Sequence, residues 1–135
     1  MVGAFDSAIK GIKEEDFTDV YYLSGLLISV GGATKDNTLT LVGVSIATTG
    51  TTMFQLISLG MLDAEGIGSM LPKISKDTTD ALRRLKKQFT TDEEINQEEL
   101  ISALGLLAKC YVKMNQKLTQ LQQLAITQSA ATESD

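Results

Sequence analysis

The sequence predicts a mainly α protein, a helical bundle closed by a long C-terminal helix of coiled-coil type. Three observations carry that prediction. The core-forming residues are almost all aliphatic, since aromatics make up 5% of the chain and Trp is absent. A single Pro in 135 residues leaves few of the breaks that a sandwich of many short strands would need. The C-terminal third repeats apolar residues at spacings of three and four over more than three heptads. At 135 residues one domain is expected, with a core large enough to fold without disulfides or a metal. Residues 1–126 are assigned to it and 127–135, which end in SAATESD, to a polar tail.

The first predicted helix spans 13–31. Acids at Glu14, Glu15 and Asp16 lie in its first turn, where the helix dipole favours them, and Gly31-Gly32 stand where a left-handed cap is wanted. Its apolar residues fall on most sides, so it needs cover on most sides.

A polar turn at 33–36 leads into the most unusual segment, Asn37–Leu62, which has 26 residues and no charge. That length would cross a bilayer, but ten of the 26 are Asn, Ser, Thr or Gln and three more are Gly, so its apolarity is modest. A helix over 37–62 would align Gly43, Ala47 and Thr51 on one face, and small residues four apart let a neighbouring backbone approach closely. A competing reading takes the alternation in Thr38-Leu39-Thr40-Leu41 and the β-branched residues as far as Thr49 as a strand. It would pair with Val20–Val30 to give an α+β fold with a hairpin at about 20–48.

Two glycines and Pro72 mark 63–76 as a connector, followed by a short helix over 77–89 with Asp77 as cap and a basic end, Arg83-Arg84-Leu85-Lys86-Lys87. Thr91 with Glu94 forms a capping box for the long helix, 91–126. Its seam reads Leu100, Leu104, Leu107, Tyr111, Met114, Leu118, Leu121 and Ala125. At 1.5 Å per residue such a helix is about 52 Å long, more than the other predicted helices can cover. The distal seam is therefore expected to seek a partner helix, the alternative being a fold back along 37–62 within a monomeric bundle. On the first reading, lysines at Leu118 and Leu121 would dissolve an association and leave the core folded.

No chemistry is readable. The chain has no His, which removes the usual general base, the Ser-His and Cys-His nucleophile pairs and most zinc sites. Cys110, the single cysteine, reads as a packed small hydrophobe. Ser7-Ala8-Ile9-Lys10 has a Ser-x-x-Lys spacing without the motifs that accompany it in enzymes. Asp63 to Gly68 begins like a calcium loop, but Ile67 and Ile74 occupy ligand positions. The glycines at 31–32 and 66–68 fit neither phosphate-loop nor dinucleotide fingerprints. Glu93, Glu94, Glu98 and Glu99 lack the His of a carboxylate-bridged metal site, and pairing with the basic run at 83–87 is the simpler expectation. No catalytic, cofactor-binding or metal-binding residue is assigned.

A net charge of −5, with the acidic excess in residues 1–70, speaks against nucleic acid as a partner. The N-terminus lacks the apolar run of a signal peptide, so the expected location is cytoplasmic or within an assembled particle. The expectation is thus a structural or adaptor protein, not an enzyme, that binds itself or another helical protein, as in a viral or secretion-type particle. The interaction residues would be Leu107, Tyr111, Met114, Leu118, Leu121 and Ala125, with Gly43 and Ala47. The alternative is a membrane-active protein inserting residues 17–62 as a helical hairpin.

Overall fold

The computed structural model describes residues 2–58, 66–90 and 96–133, with side chains for 3–58, 72–90 and 96–127. Five helices make up the described chain: α1 Val2–Lys13, α2 Thr18–Thr34, α3 Asn37–Ser58, α4 Gly66–Thr90 and α5 Gln97–Glu133. The mainly α bundle with a long C-terminal helix is the fold the sequence predicts. Each helix has two principal neighbours. α1 packs on α2 and α4, α3 on α2 and α5, and α5 on α3 and α4, so the five close into a ring around one aliphatic core.

The α1 helix was not anticipated, although its signal is present: Phe5, Ala8, Ile9 and Ile12 fall at three-and-four spacing and all are buried. Phe5 stacks on Phe89 of α4 with ring centroids 5.9 Å apart, and Lys86 reaches Asp6 at 2.7 Å. The acids predicted to open a helix at 13 instead form the turn after α1. Glu15 takes a left-handed conformation (φ 59°), and Asp16 Oδ1 accepts hydrogen bonds from the amide and hydroxyl of Thr18 (3.1 and 2.8 Å) at the start of α2.

The expected cap at Gly31-Gly32 is displaced to Lys35 (φ 56°), and α2 runs on to Thr34. Gly31 does something else. A Cβ there would stand 2.4 Å from Thr40 Oγ1 and 2.7 Å from its amide nitrogen, so the residue sits where α2 and α3 nearly touch. Asp36 starts α3 by accepting from the amides of Thr38 and Leu39 (2.9 and 3.4 Å).

Residues 38–49, the stretch that also read as a strand, are helical. The threonines that suggested β structure are accommodated by bonding back along the helix. Thr48, Thr49 and Thr52 hydroxyls donate to the carbonyls of Val44, Ser45 and Thr48 at 2.8, 2.9 and 3.1 Å. Their polarity is thus satisfied within α3, and Thr49 and Thr52 can be buried. The helix is described to Ser58; the remainder of the predicted span, 59–62, lies outside the described residues.

α4 begins at Gly66, so much of the predicted connector and the helix at 77–89 are one helix of 25 residues with Pro72 inside it. Pro72 is exposed, and water can take the carbonyl its missing N–H leaves free. Asp77 is accordingly an interior residue and not a cap. The predicted capping box, Thr91 with Glu94, lies outside the described residues. Where α5 emerges, Asn96 caps it, its side-chain oxygen accepting the Glu99 amide at 3.1 Å. α5 continues to Glu133, through most of the predicted polar tail, and its 37 residues span about 55 Å.

Candidate functional surface

α5 presents two faces of opposite character. Its inward row is Leu100, Ala103, Leu107, Cys110, Met114, Leu118 and Leu121, all buried. The predicted seam is this row rotated slightly: Leu104 and Tyr111 are only half-buried, and the smaller Ala103 and Cys110 take their places in the core. Small side chains carry little hydropathy weight, yet they permit the close approach of a long helix to two neighbours.

The distal seam was expected to lack cover. It is covered within the chain by the fold-back that was the alternative: Leu118 and Leu121 are 7% and 5% exposed. Of the proposed interaction residues, Leu107, Met114, Leu118 and Leu121 are core, Tyr111 is half-buried and Ala125 alone on α5 is exposed. Lysines at Leu118 and Leu121 would therefore act on folding and not on association alone.

Gly43 also faces one of the chain's own helices, and Ala47, one turn on, is half-buried. A Cβ on Gly43 would lie 2.8 Å from the Ser24 carbonyl oxygen and 2.8 Å from Ile28 Cγ1, and the Ser24 hydroxyl donates to the Gly43 carbonyl at 2.9 Å. The small-residue face is thus the α2–α3 contact. It runs through Gly43 and Gly50, whose Cβ would meet Val20 Cγ1 at 2.9 Å, while Thr51 is exposed.

What the sequence reading missed is the outward side. On α5, Ile101, Gly105, Ala108, Val112, Thr119 and Ile126 point to solvent, with Ile101, Val112 and Ile126 50 to 66% exposed. On α3, Leu41, Val44, Thr51, Gln55 and Ser58 do the same, and Leu41 is 56% exposed. The two rows adjoin. Val44, Ser45, Thr48 and Thr49 line one shallow groove with Ala108 and Tyr111, and Phe54, Gln55 and Ser58 line another with Leu118 and Gln122. Residue numbers rise together along both grooves, so α3 and α5 run parallel. The signal for this face was available in the spacing of Ile101, Gly105, Ala108 and Val112, but a glycine and an alanine in the stripe masked it.

Charge lies elsewhere. Of the expected pairing between the basic end of α4 and the acids that open the long helix, Arg84 with Glu99 (2.8 Å) is present; Arg83 pairs instead with Asp80 (3.1 Å) and Lys86 with Asp6, while Glu93 and Glu94 lie outside the described residues. The Arg84 guanidinium holds the Glu99 carboxyl below its ordinary range, and the Thr18 amide and hydroxyl do the same for Asp16. Both groups gain in the folded state when ionised. Their stabilisation is complete above the ordinary carboxylate pKa of about 4 and is lost as pH falls through the lower folded values. With no His in the chain, the denaturation midpoint is expected to be level from about pH 5 to 7 and to fall below about pH 4. A midpoint that moves between pH 5 and 7 would contradict this.

Cys110 is buried, and burial raises its thiol pKa, opposed by the neighbouring Thr78 hydroxyl, which has no hydrogen-bond partner of ordinary geometry. A neutral thiol beneath the surface suits a packing role. Among the described residues no group of three or more His, Cys, Asp or Glu is placed to hold a metal ion.

The surface can therefore offer an uncharged, partly apolar, two-helix face, and its chemistry is that of contact. Neither protein-family models, curated proteins nor solved structures give a match to this chain.

Proposed function

We propose that this protein is a non-enzymatic structural or adaptor component that works by helix-mediated association with itself or with another helical protein. The observation that carries the reading is the composition of α3. It contains no Asp, Glu, Lys or Arg in 22 residues, yet it keeps a solvent-facing row that includes Leu41 and Val44 and continues onto Ile101 and Val112 of α5. A helix at the surface of a soluble bundle ordinarily carries its charges on the outward side. An exposed apolar patch rimmed by polar residues marks a contact surface.

Light scattering after size exclusion without detergent tests this. The expected result is a discrete multiple of the 14.5 kDa chain, or a monomer that binds a helical partner and loses that binding when Leu41 or Val112 is replaced by Lys. A monomer whose binding ignores those substitutions would remove the reading.

A second reading has its own support. α3 is long and apolar enough to cross a membrane, and 44% of its most apolar stretch is buried in the bundle. Its 22 residues extend about 33 Å, close to a hydrocarbon core of about 30 Å. With α2 it would form an inserting hairpin whose only charges near the turn are Lys35 and Asp36. Flotation with phosphatidylcholine vesicles separates the two, because the association reading predicts protein that stays in the aqueous fraction.

A further inference from the structure

We infer that the outward face of α3 and α5 receives a second copy of this chain, related by a two-fold axis, with α5 crossing its counterpart antiparallel at Gly105. This deepens the association reading and rests on it.

The argument begins with where charge falls on the rim. Looking onto α5 from solvent, the α3 side is uncharged, while the α4 side carries Glu98, Lys109 and Lys113, all exposed. Among the described residues none of the three has an ion-pair partner within the chain. Glu98 stands seven residues before Gly105, and Lys109 and Lys113 stand four and eight after it. A two-fold axis lying in the interface and perpendicular to α5 reverses the helix direction but keeps the charged edge on the charged edge. Glu98 of one protomer then comes level with Lys113 of its partner, with Lys109 one turn nearer the axis, and the same pairing repeats on the other side. A two-fold axis along α5, which would leave the helices parallel, lays the charged edge of each protomer against the uncharged α3 side of its partner and leaves Glu98 and the lysines unpaired. The charge pattern is therefore complementary to itself in one direction only.

The apolar part fits the same axis. Val44 and Ala108 line one groove, so Leu41 and Gly105, each three residues earlier, lie at one level across the face. The axis that brings Gly105 onto Gly105 brings Leu41 toward Leu41, and Ile101 of each protomer over Ala108 of its partner. Gly105 is exposed and helical, and a Cβ built on it meets nothing within 4 Å, so the monomer's own packing gives no reason for a residue that weakens a helix. A helix crossing at that point supplies one, because absence of a side chain lets two backbones approach. With the axis at Gly105 and Leu41 the overlap reaches to the start of each helix, about 24 Å along α5 and about 12 Å along α3, so at about 9 Å per helix the face is on the order of 300 Å² per partner, the size of a weak, concentration-dependent contact.

The test is a charge swap on the full chain, read by light scattering over a concentration series at low salt, with circular dichroism to confirm folding. Glu98→Lys, and separately Lys109→Glu with Lys113→Glu, are each expected to weaken dimerisation roughly tenfold or more. All three changes together should restore it, and Gly105→Leu should leave a folded monomer. A dimer indifferent to Gly105→Leu and to both charge reversals would overturn this interface and leave association through another surface standing. A wild-type chain that stays monomeric throughout overturns the interface. If that monomer also binds no helical partner through Leu41 and Val112, the association reading fails with it.

Discussion

Replacing Gly43 with Leu is expected to destabilise the protein by about 2 to 4 kcal/mol, from overpacking of a closed contact together with loss of a buried hydrogen bond. A new Cβ would meet Ile28 Cγ1 and the Ser24 backbone oxygen, both at 2.8 Å, with the Ile28 amide nitrogen at 3.1 Å behind them. Backbone held inside a helix cannot step aside as the end of a flexible side chain can. α2 must instead shift away from α3, and the bond from the Ser24 hydroxyl to the Gly43 carbonyl, 2.9 Å long and buried, is drawn out with it. A domain has only about 5 to 15 kcal/mol in total, so the change takes a large part of the reserve. Gly25→Ala is the matched control. It lies on the open side of α2, the helix that Gly43 touches, with nothing within 4 Å, and should raise stability by up to about 1 kcal/mol through helix propensity. Chemical denaturation followed by circular dichroism measures both. Equal midpoints for Gly43→Leu and the wild type would mean that the α2–α3 contact is not as close as described.

The contrast between those glycines shows how much of this molecule can be read from sequence. Absence of Trp, scarcity of Pro and the three-and-four spacing of the C-terminal third suffice for an all-helical bundle, because periodicity is a local property. Gly31 and Gly43 are different. In sequence they resemble a cap and an interface for another chain; in the fold both are points where α2 and α3 nearly touch. A glycine reports that a side chain is unwelcome but not which backbone excludes it. Lys35 took the left-handed position that Gly31-Gly32 seemed to reserve, because Asp36 must follow directly to start α3.

The α5 seam failed for a related reason. Leu104 and Tyr111 outweigh Ala103 and Cys110 in hydropathy, so the apolar stripe read from sequence points slightly away from the core. α5 lies against both α3 and α4, and the residues at its closest approach must be small. Hydropathy favours bulk, whereas packing density rewards fit. α1 has only 12 residues, a window in which a period stands out weakly, although Phe5, Ala8, Ile9 and Ile12 are spaced as helix demands. Most of the candidate surface was illegible for the opposite reason. Whether Ile101 and Val112 are exposed depends on which side of α5 its neighbours occupy, and no spacing within one helix states that.

Truncating Leu107 to Ala should cost about 2 to 5 kcal/mol, the range for deleting a large aliphatic side chain from a packed core. Ile101→Ala, six residues earlier on the same helix, should change monomer stability by less than about 0.5 kcal/mol, as surface substitutions do. Leu107 is fully buried at the level where α5 meets α3 and α4, so its removal leaves a void that a ring of five helices closes only in part. Ile101 is 66% exposed and has little cover to lose within one protomer. The two residues also separate folding from contact. On the reading in which Leu107 belongs to a seam awaiting a partner, its loss would change the mass of the particle and leave the monomer's unfolding untouched. The buried row predicts the reverse, with Leu107→Ala lowering the denaturation midpoint at any concentration and Ile101→Ala acting only where the chain associates. Denaturation at two protein concentrations distinguishes them. If Leu107→Ala alters mass without altering stability, α5 is turned the other way, and the face that meets a partner is the one placed here inside the bundle.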